Sequence, residues 1–111
     1  MFKEKTIFNY DQEEFSFDEF KDELIRQQQL GYNVFIGADS QIIKDRVSVV
    51  ACVCLYKERS GGTFYYVKER VSKKKFPTTR MRLLYEAYKS IEVAMEIEEF
   101  VLGAKLQKDQ I

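Results

Sequence analysis

Hydrophobic and polar positions along this chain fall into two periods, one helical and one extended. Phe17, Phe20, Leu24 and Ile25 recur at helical spacing directly after Ser16, and Glu19 stands three residues beyond that serine, the spacing of a capping box. Asp18, Glu19, Asp22 and Glu23 crowd the start of the same stretch, where the helix dipole favours negative charge, and Gly31 supplies a left-handed stop. The pattern predicts a helix over 17–29, preceded by an extended arm containing Ile7, Phe8 and Tyr10. Asn33 to Ala38 is almost without polar residues and does not alternate, which predicts a central strand buried on both faces. Val47 to Tyr56 and Thr63 to Val71 come next, separated by the turn-rich Lys57-Glu58-Arg59-Ser60-Gly61-Gly62, and these predict an antiparallel hairpin. After Pro77, Thr78 or Thr79 can cap a long helix over 79–98. Its apolar arc of Leu83, Leu84, Ala87, Tyr88, Ile91, Ala94 and Met95 is expected to lie on the sheet. Periodicity does not assign Phe100-Val101-Leu102-Gly103-Ala104. The order helix, strand, strand, strand, helix predicts one α/β domain spanning 1–111.

Composition narrows the chemistry. The 111 residues are 45% hydrophobic and contain only six Pro and Gly together, which excludes a disordered or collagen-like chain. No apolar run reaches the roughly 18 residues of a membrane span, and Met1-Phe2-Lys3-Glu4-Lys5 has no signal-peptide core, so a cytoplasmic protein is expected. The absence of histidine excludes every His-based triad and zinc site. Cys52 and Cys54, one residue apart in an apolar run, are expected to be same-face core residues and not a redox or metal pair.

Lys plus Arg equals Asp plus Glu at 18 each, but the charges are not evenly spread. Met1 to Glu23 carries eight acids against three lysines, whereas Lys68 to Arg82 carries seven bases against Glu69 alone. The basic segment reads either as a solvated loop or as a phosphate-binding patch, with Lys73, Lys74, Lys75 and Arg80 as the phosphate contacts.

Asp39 is the most informative single position, because a carboxylate at the end of a buried strand must be hydrogen-bonded, paired or metal-bound. It either caps the local turn through its own backbone or marks a site at the strand's carboxyl end. Glu86 lies at one edge of the apolar arc, as a site residue or as half of a surface pair with Lys89 or Arg82.

Together these pieces resemble a known family. Phe35-Ile36-Gly37-Ala38-Asp39-Ser40-Gln41 looks like the Ile-Gly-Thr-Asp-Ser-Gln signature of the YkuK family, bacterial ribonuclease H-like proteins of unknown function. Gly61-Gly62-Thr63-Phe64-Tyr65-Tyr66 and the segment from Arg82 to Ala94 around Glu86 extend the likeness over most of the chain. The resemblance implies an incomplete ribonuclease H-like fold, α/β, with three strands including an antiparallel hairpin, flanked by two helices. It further implies a nuclease-related function in which Asp39 and Glu86 are catalytic and metal-binding, holding Mg²⁺ or Mn²⁺ for phosphodiester cleavage. The competing expectation is a noncatalytic nucleic-acid-binding or protein-assembly module.

Two departures accompany it. Ala38 replaces the family's Thr, and the chain reaches Gln107-Lys108-Asp109-Gln110-Ile111 where the family continues into a strand bearing another acid. Asp109 has no matching motif around it. A missing strand would leave the backbone edge of Asn33 to Ala38 open, so a homodimer with the 100–111 tail at its interface is expected.

Overall fold

The computed structural model of the protein describes residues 1–101. Helix α1 (Phe17–Gln29) begins where the sequence places it: the Ser16 hydroxyl accepts from the Glu19 N–H at 3.1 Å, and the Ser16 N–H donates to the Glu19 carboxylate at 2.9 Å. The chain leaves the helix through Gly31 at φ 94°, a conformation a side chain would strain. It then runs through three antiparallel strands, β3 (Asn33–Ile43), β4 (Arg46–Lys57) and β5 (Gly61–Ser72), with Ala38 opposite Ala51 and Ala51 opposite Val67. A 3₁₀ turn (Lys73–Lys75) leads to α2 (Thr79–Ile97), capped by the Thr78 hydroxyl accepting from the Met81 N–H.

Three expectations are corrected. Among the described residues the sheet has five strands, not three: β1 (Ile7–Asn9) and β2 (Glu14–Phe15) join the others in the order β2-β1-β5-β4-β3. The additional pair comes from the N-terminal arm, where three- and two-residue strands are too short to carry a readable period. The second correction concerns β3, which is an edge strand and is not buried on both faces. Val34, Ile36 and Ala38 pack on the core, while Phe35 stays 54% exposed on the other face.

The third correction is the rotation of α2. It buries Val93 and Ile97, whereas Leu83, Leu84, Tyr88, Ile91 and Met95 point to solvent. Polar partners on the sheet set this rotation. The Tyr85 hydroxyl donates to Glu69 of β5, and Lys89 bridges Glu69 at 3.3 Å and Glu92 at 3.0 Å. Burial works against the Lys89 charge, but these carboxylates outweigh it and raise the lysine's pKa.

Both helices lie on one side of the sheet. Phe20 and Leu24 of α1 and Val93 and Ile97 of α2 join Ile7, Ala51, Val53, Leu55, Tyr65 and Val67 in a single core, closed by Phe2. The sheet's opposite face has no layer over it among the described residues. No helix of the described chain is long and apolar enough to cross a membrane.

Candidate functional site

Side chains alternate across a strand, so the faces of β3 can be assigned residue by residue. Val34, Ile36 and Ala38 face the helices. Ser40 continues that set, and its hydroxyl donates to Glu86 Oε2 of α2. Asp39 therefore belongs to the opposite, open face. It is exposed, and its Oδ1 accepts from the Ser40 N–H at 2.9 Å; it lies inside β3, paired with Val50, and not at the strand end or turn where the sequence places it, because the strand continues to Ile43.

Glu86 is half-buried, and its backbone carbonyl accepts from the Ser90 hydroxyl at 3.1 Å. Its carboxylate meets Ser40 and not the Lys89 or Arg82 pairing considered from sequence, since Lys89 is engaged by Glu69 and Glu92. The structure thus brings Ser40 to Glu86 and leaves Asp39 across the sheet from it. Mg²⁺ needs oxygens at about 2.0–2.1 Å in near-octahedral array. Two carboxylates on opposite faces do not present that array to one ion, and no cluster of three or more potential ligands occurs among the described residues. Asp109 lies outside the described residues; of the 100–111 tail expected at a dimer interface, Phe100 and Val101 instead pack against the chain's own core, and the remainder lies outside the described residues.

The basic residues occupy the far end of β5 and the segment leading into α2. Lys73, Lys74 and Lys75 form the exposed 3₁₀ turn, Arg80 is exposed in the first turn of α2, and Lys75 Nζ lies 5.9 Å from the Tyr85 ring centre. Lys68 and Arg70 belong to β5 itself. Because Tyr65 and Val67 are buried beneath the helices, alternation puts Phe64, Tyr66, Lys68 and Arg70 together on the open face.

This open face carries the arrangement that sequence reasoning missed. Phe8 stacks on Tyr66 at 5.7 Å between ring centres, Phe64 lies 5.9 Å from Tyr66, and Tyr10 meets Phe64 edge-on at 5.8 Å. Lys68 Nζ stands 5.7 Å from the Tyr66 ring. Tyr10, Phe64, Tyr66 and Lys68, with Val50, Cys52 and Cys54, line an open hollow of about 490 Å³. The available signal was the period of two in Phe64, Tyr66, Lys68 and Arg70, aromatic pair then basic pair on one face.

The two cysteines do share a face, with sulfurs 3.9 Å apart, but it is this open face and not the core. Partial burial, reinforced by the neighbouring Cys54, pushes the Cys52 thiol up to about 11, so it stays protonated at neutral pH and is a packing group, not a nucleophile.

Chemically, such a surface offers flat π faces at one end and cationic donors at the other. That combination suits unpaired bases joined by phosphates better than it suits a small anion or a buried apolar ligand.

Comparison with known proteins agrees with the sequence motifs at the level of family. No curated protein and no solved structure matches the chain. The ribonuclease H-like family matches residues 16–111, a span that holds α1, the β3–β5 meander, α2, Asp39 and Glu86. The chain belongs to the ribonuclease H-like family.

Proposed function

We propose that this chain is a ribonuclease H-like protein of the YkuK type that binds single-stranded nucleic acid on the open face of its sheet, without cleavage at an Asp39–Glu86 metal centre. The observation that carries this reading is the cluster of Phe8, Tyr10, Phe64 and Tyr66 rings beside Lys68. Each base stacked on an aromatic side chain contributes about 1–3 kcal/mol irrespective of its identity. Lys68 and Arg70 succeed the aromatics along β5, and Lys73, Lys74 and Lys75 extend the positive track beyond the sheet. Phosphates spaced along a bound strand can run along this track while the bases lie over the rings. The separation of Asp39 from Glu86 favours binding over hydrolysis.

Fluorescence anisotropy with labelled single-stranded DNA and RNA of about a dozen nucleotides tests the reading. Tyr66→Ala is expected to weaken binding roughly 5- to 150-fold, the equivalent of one lost stacking contact. Replacing Lys73, Lys74 and Lys75 together with Gln is expected to weaken binding and flatten its dependence on salt, by about 0.7 in log–log slope for each phosphate contact removed. Asp39→Asn, with or without Mn²⁺, is expected to change neither. Unchanged affinity in Tyr66→Ala overturns the reading, and Mn²⁺-dependent cleavage that disappears in Asp39→Asn replaces it with the nuclease.

A further inference from the structure

The outer face of α2 has a pattern that neither the core nor the open sheet face uses. Met81, Leu84, Tyr88, Ile91 and Met95 are each 45% to 70% exposed. Their steps along the helix are three, four, three and four residues, the spacing that forms a seam between two paired helices. Glu86, Lys89, Val93 and Ile97 occupy the opposite side of the helix, turned to the sheet, so the seam points away from the body of the protein. Ala87 and Ala94 flank it and leave room for a second helix to approach closely. From Met81 to Met95 the seam is ~21 Å long.

The charges on α2 identify the partner. A helix favours acids in its first turn and bases in its last. In α2 the first turn has no acid and carries Arg80 and Arg82, while the last turn has no base and the chain continues into Glu98 and Glu99. This polarity opposes the helix's own dipole, but it is self-complementary between two antiparallel copies, where the basic end of one meets the acidic end of the other.

We propose that the protein forms a two-fold homodimer through antiparallel pairing of α2 with α2 of a second copy. In the register that keeps the seam continuous, Leu84 packs opposite Met95 of the second copy, Tyr88 opposite its Ile91, and Arg80 reaches its Glu99. Each contact recurs across the two-fold axis, as a self-complementary interface requires. This inference does not depend on nucleic-acid binding, because α2 lies on the other side of the sheet from the aromatic face. The dimer leaves both aromatic faces directed outward.

Sedimentation equilibrium and light scattering from about 1 to 200 μM test the proposal, a range that spans weak to moderate self-association. The wild type is expected to be dimeric in the upper part of that range. Ile91→Lys is expected to weaken association by at least about tenfold, as desolvating a charge at the seam requires, with an unchanged melting temperature in dilute solution. Arg80→Glu is expected to weaken it, and Arg80→Glu combined with Glu99→Arg to restore it, a rescue that requires the antiparallel register. A monomer throughout the range overturns the proposal. So does a dimer insensitive to Ile91→Lys, which would place the contact elsewhere, for example on the outer edge of β3, or failure of the double charge reversal to rescue the single one.

Discussion

Replacing Phe20 with alanine is expected to lower stability by about 3–5 kcal/mol, the range for truncating a fully buried aromatic residue in a core that cannot collapse onto the space. Phe20 has no exposed surface. Its ring centre lies 5.0 Å from that of Phe2, 5.4 Å from Tyr65 and 6.1 Å from Phe17, so one side chain joins the N-terminal segment, β5 and its own helix. Domains of this size are stable by only about 5–15 kcal/mol, so the loss takes a large part of the total. Thermal and urea unfolding followed by circular dichroism read it directly. The variant is expected to melt roughly 10–20 °C below the wild type, whereas Tyr10→Ala, at a side chain 74% exposed, costs under about 1 kcal/mol. Equal losses in the two variants would show that the cluster around Phe20 is not the centre of the core. The effect also reaches the open aromatic face, because Tyr65, on which Phe20 packs, lies between Phe64 and Tyr66 in β5. Loosening it disturbs the strand that presents both rings.

How much of the fold is legible in the sequence depends on the range of the interactions involved. Helix α1 is legible to the residue because its start is a local device, Ser16 with Glu19, and its stop is a local backbone requirement at Gly31. The β4–β5 hairpin is legible for the same reason, its turn lying between two β-branched and aromatic runs. The faces of the elements are harder to read, because they are set by contacts across the fold. Asn33 to Ala38 reads as buried on both sides because Phe35 and Gly37 are as apolar as Val34 and Ile36, yet only one of those sets meets the helices. In α2 the apolar arc is the natural core face by pattern alone. The actual face is mixed: Val93 and Ile97 enter the core, while Glu86, Tyr85 and Lys89 find partners on Ser40 and Glu69 that no sequence spacing announces. The candidate site inherits this limit. The motif locates Asp39 at the right strand and Glu86 on the right helix, but a shift of one residue moves a strand side chain to the other face, and that single step separates the two carboxylates. The aromatic platform is hidden because its members come from β1 and β5, segments more than fifty residues apart, and β1 itself has no readable period.

Glu96→Gln is expected to destabilise the protein by about 1–3 kcal/mol at pH 7, with the difference shrinking as the solution is acidified. The Glu96 carboxylate anchors the first residues of the described chain. It accepts from the Met1 ammonium, from the Phe2 N–H at 2.9 Å and from the Lys3 N–H at 3.0 Å, and its side chain is only 11% exposed. Through these contacts α2 holds Phe2 inside the core against Phe20. Burial alone would raise the pKa of this glutamate, but the ammonium and the two backbone donors together outweigh it and hold the group below its ordinary value of 4.5. A carboxyl whose folded value is depressed contributes stability that is complete above the unfolded value and fades as pH falls through the folded one. Glutamine keeps an acceptor oxygen but not the charge, so it retains part of the anchor and none of its titration. Urea unfolding of both proteins between pH 7 and about pH 3 is therefore expected to give curves that are separated at neutral pH and converge below the ordinary glutamate value. A gap that stays constant across that range would mean that the anchor acts through neutral hydrogen bonding and that the buried charge contributes nothing.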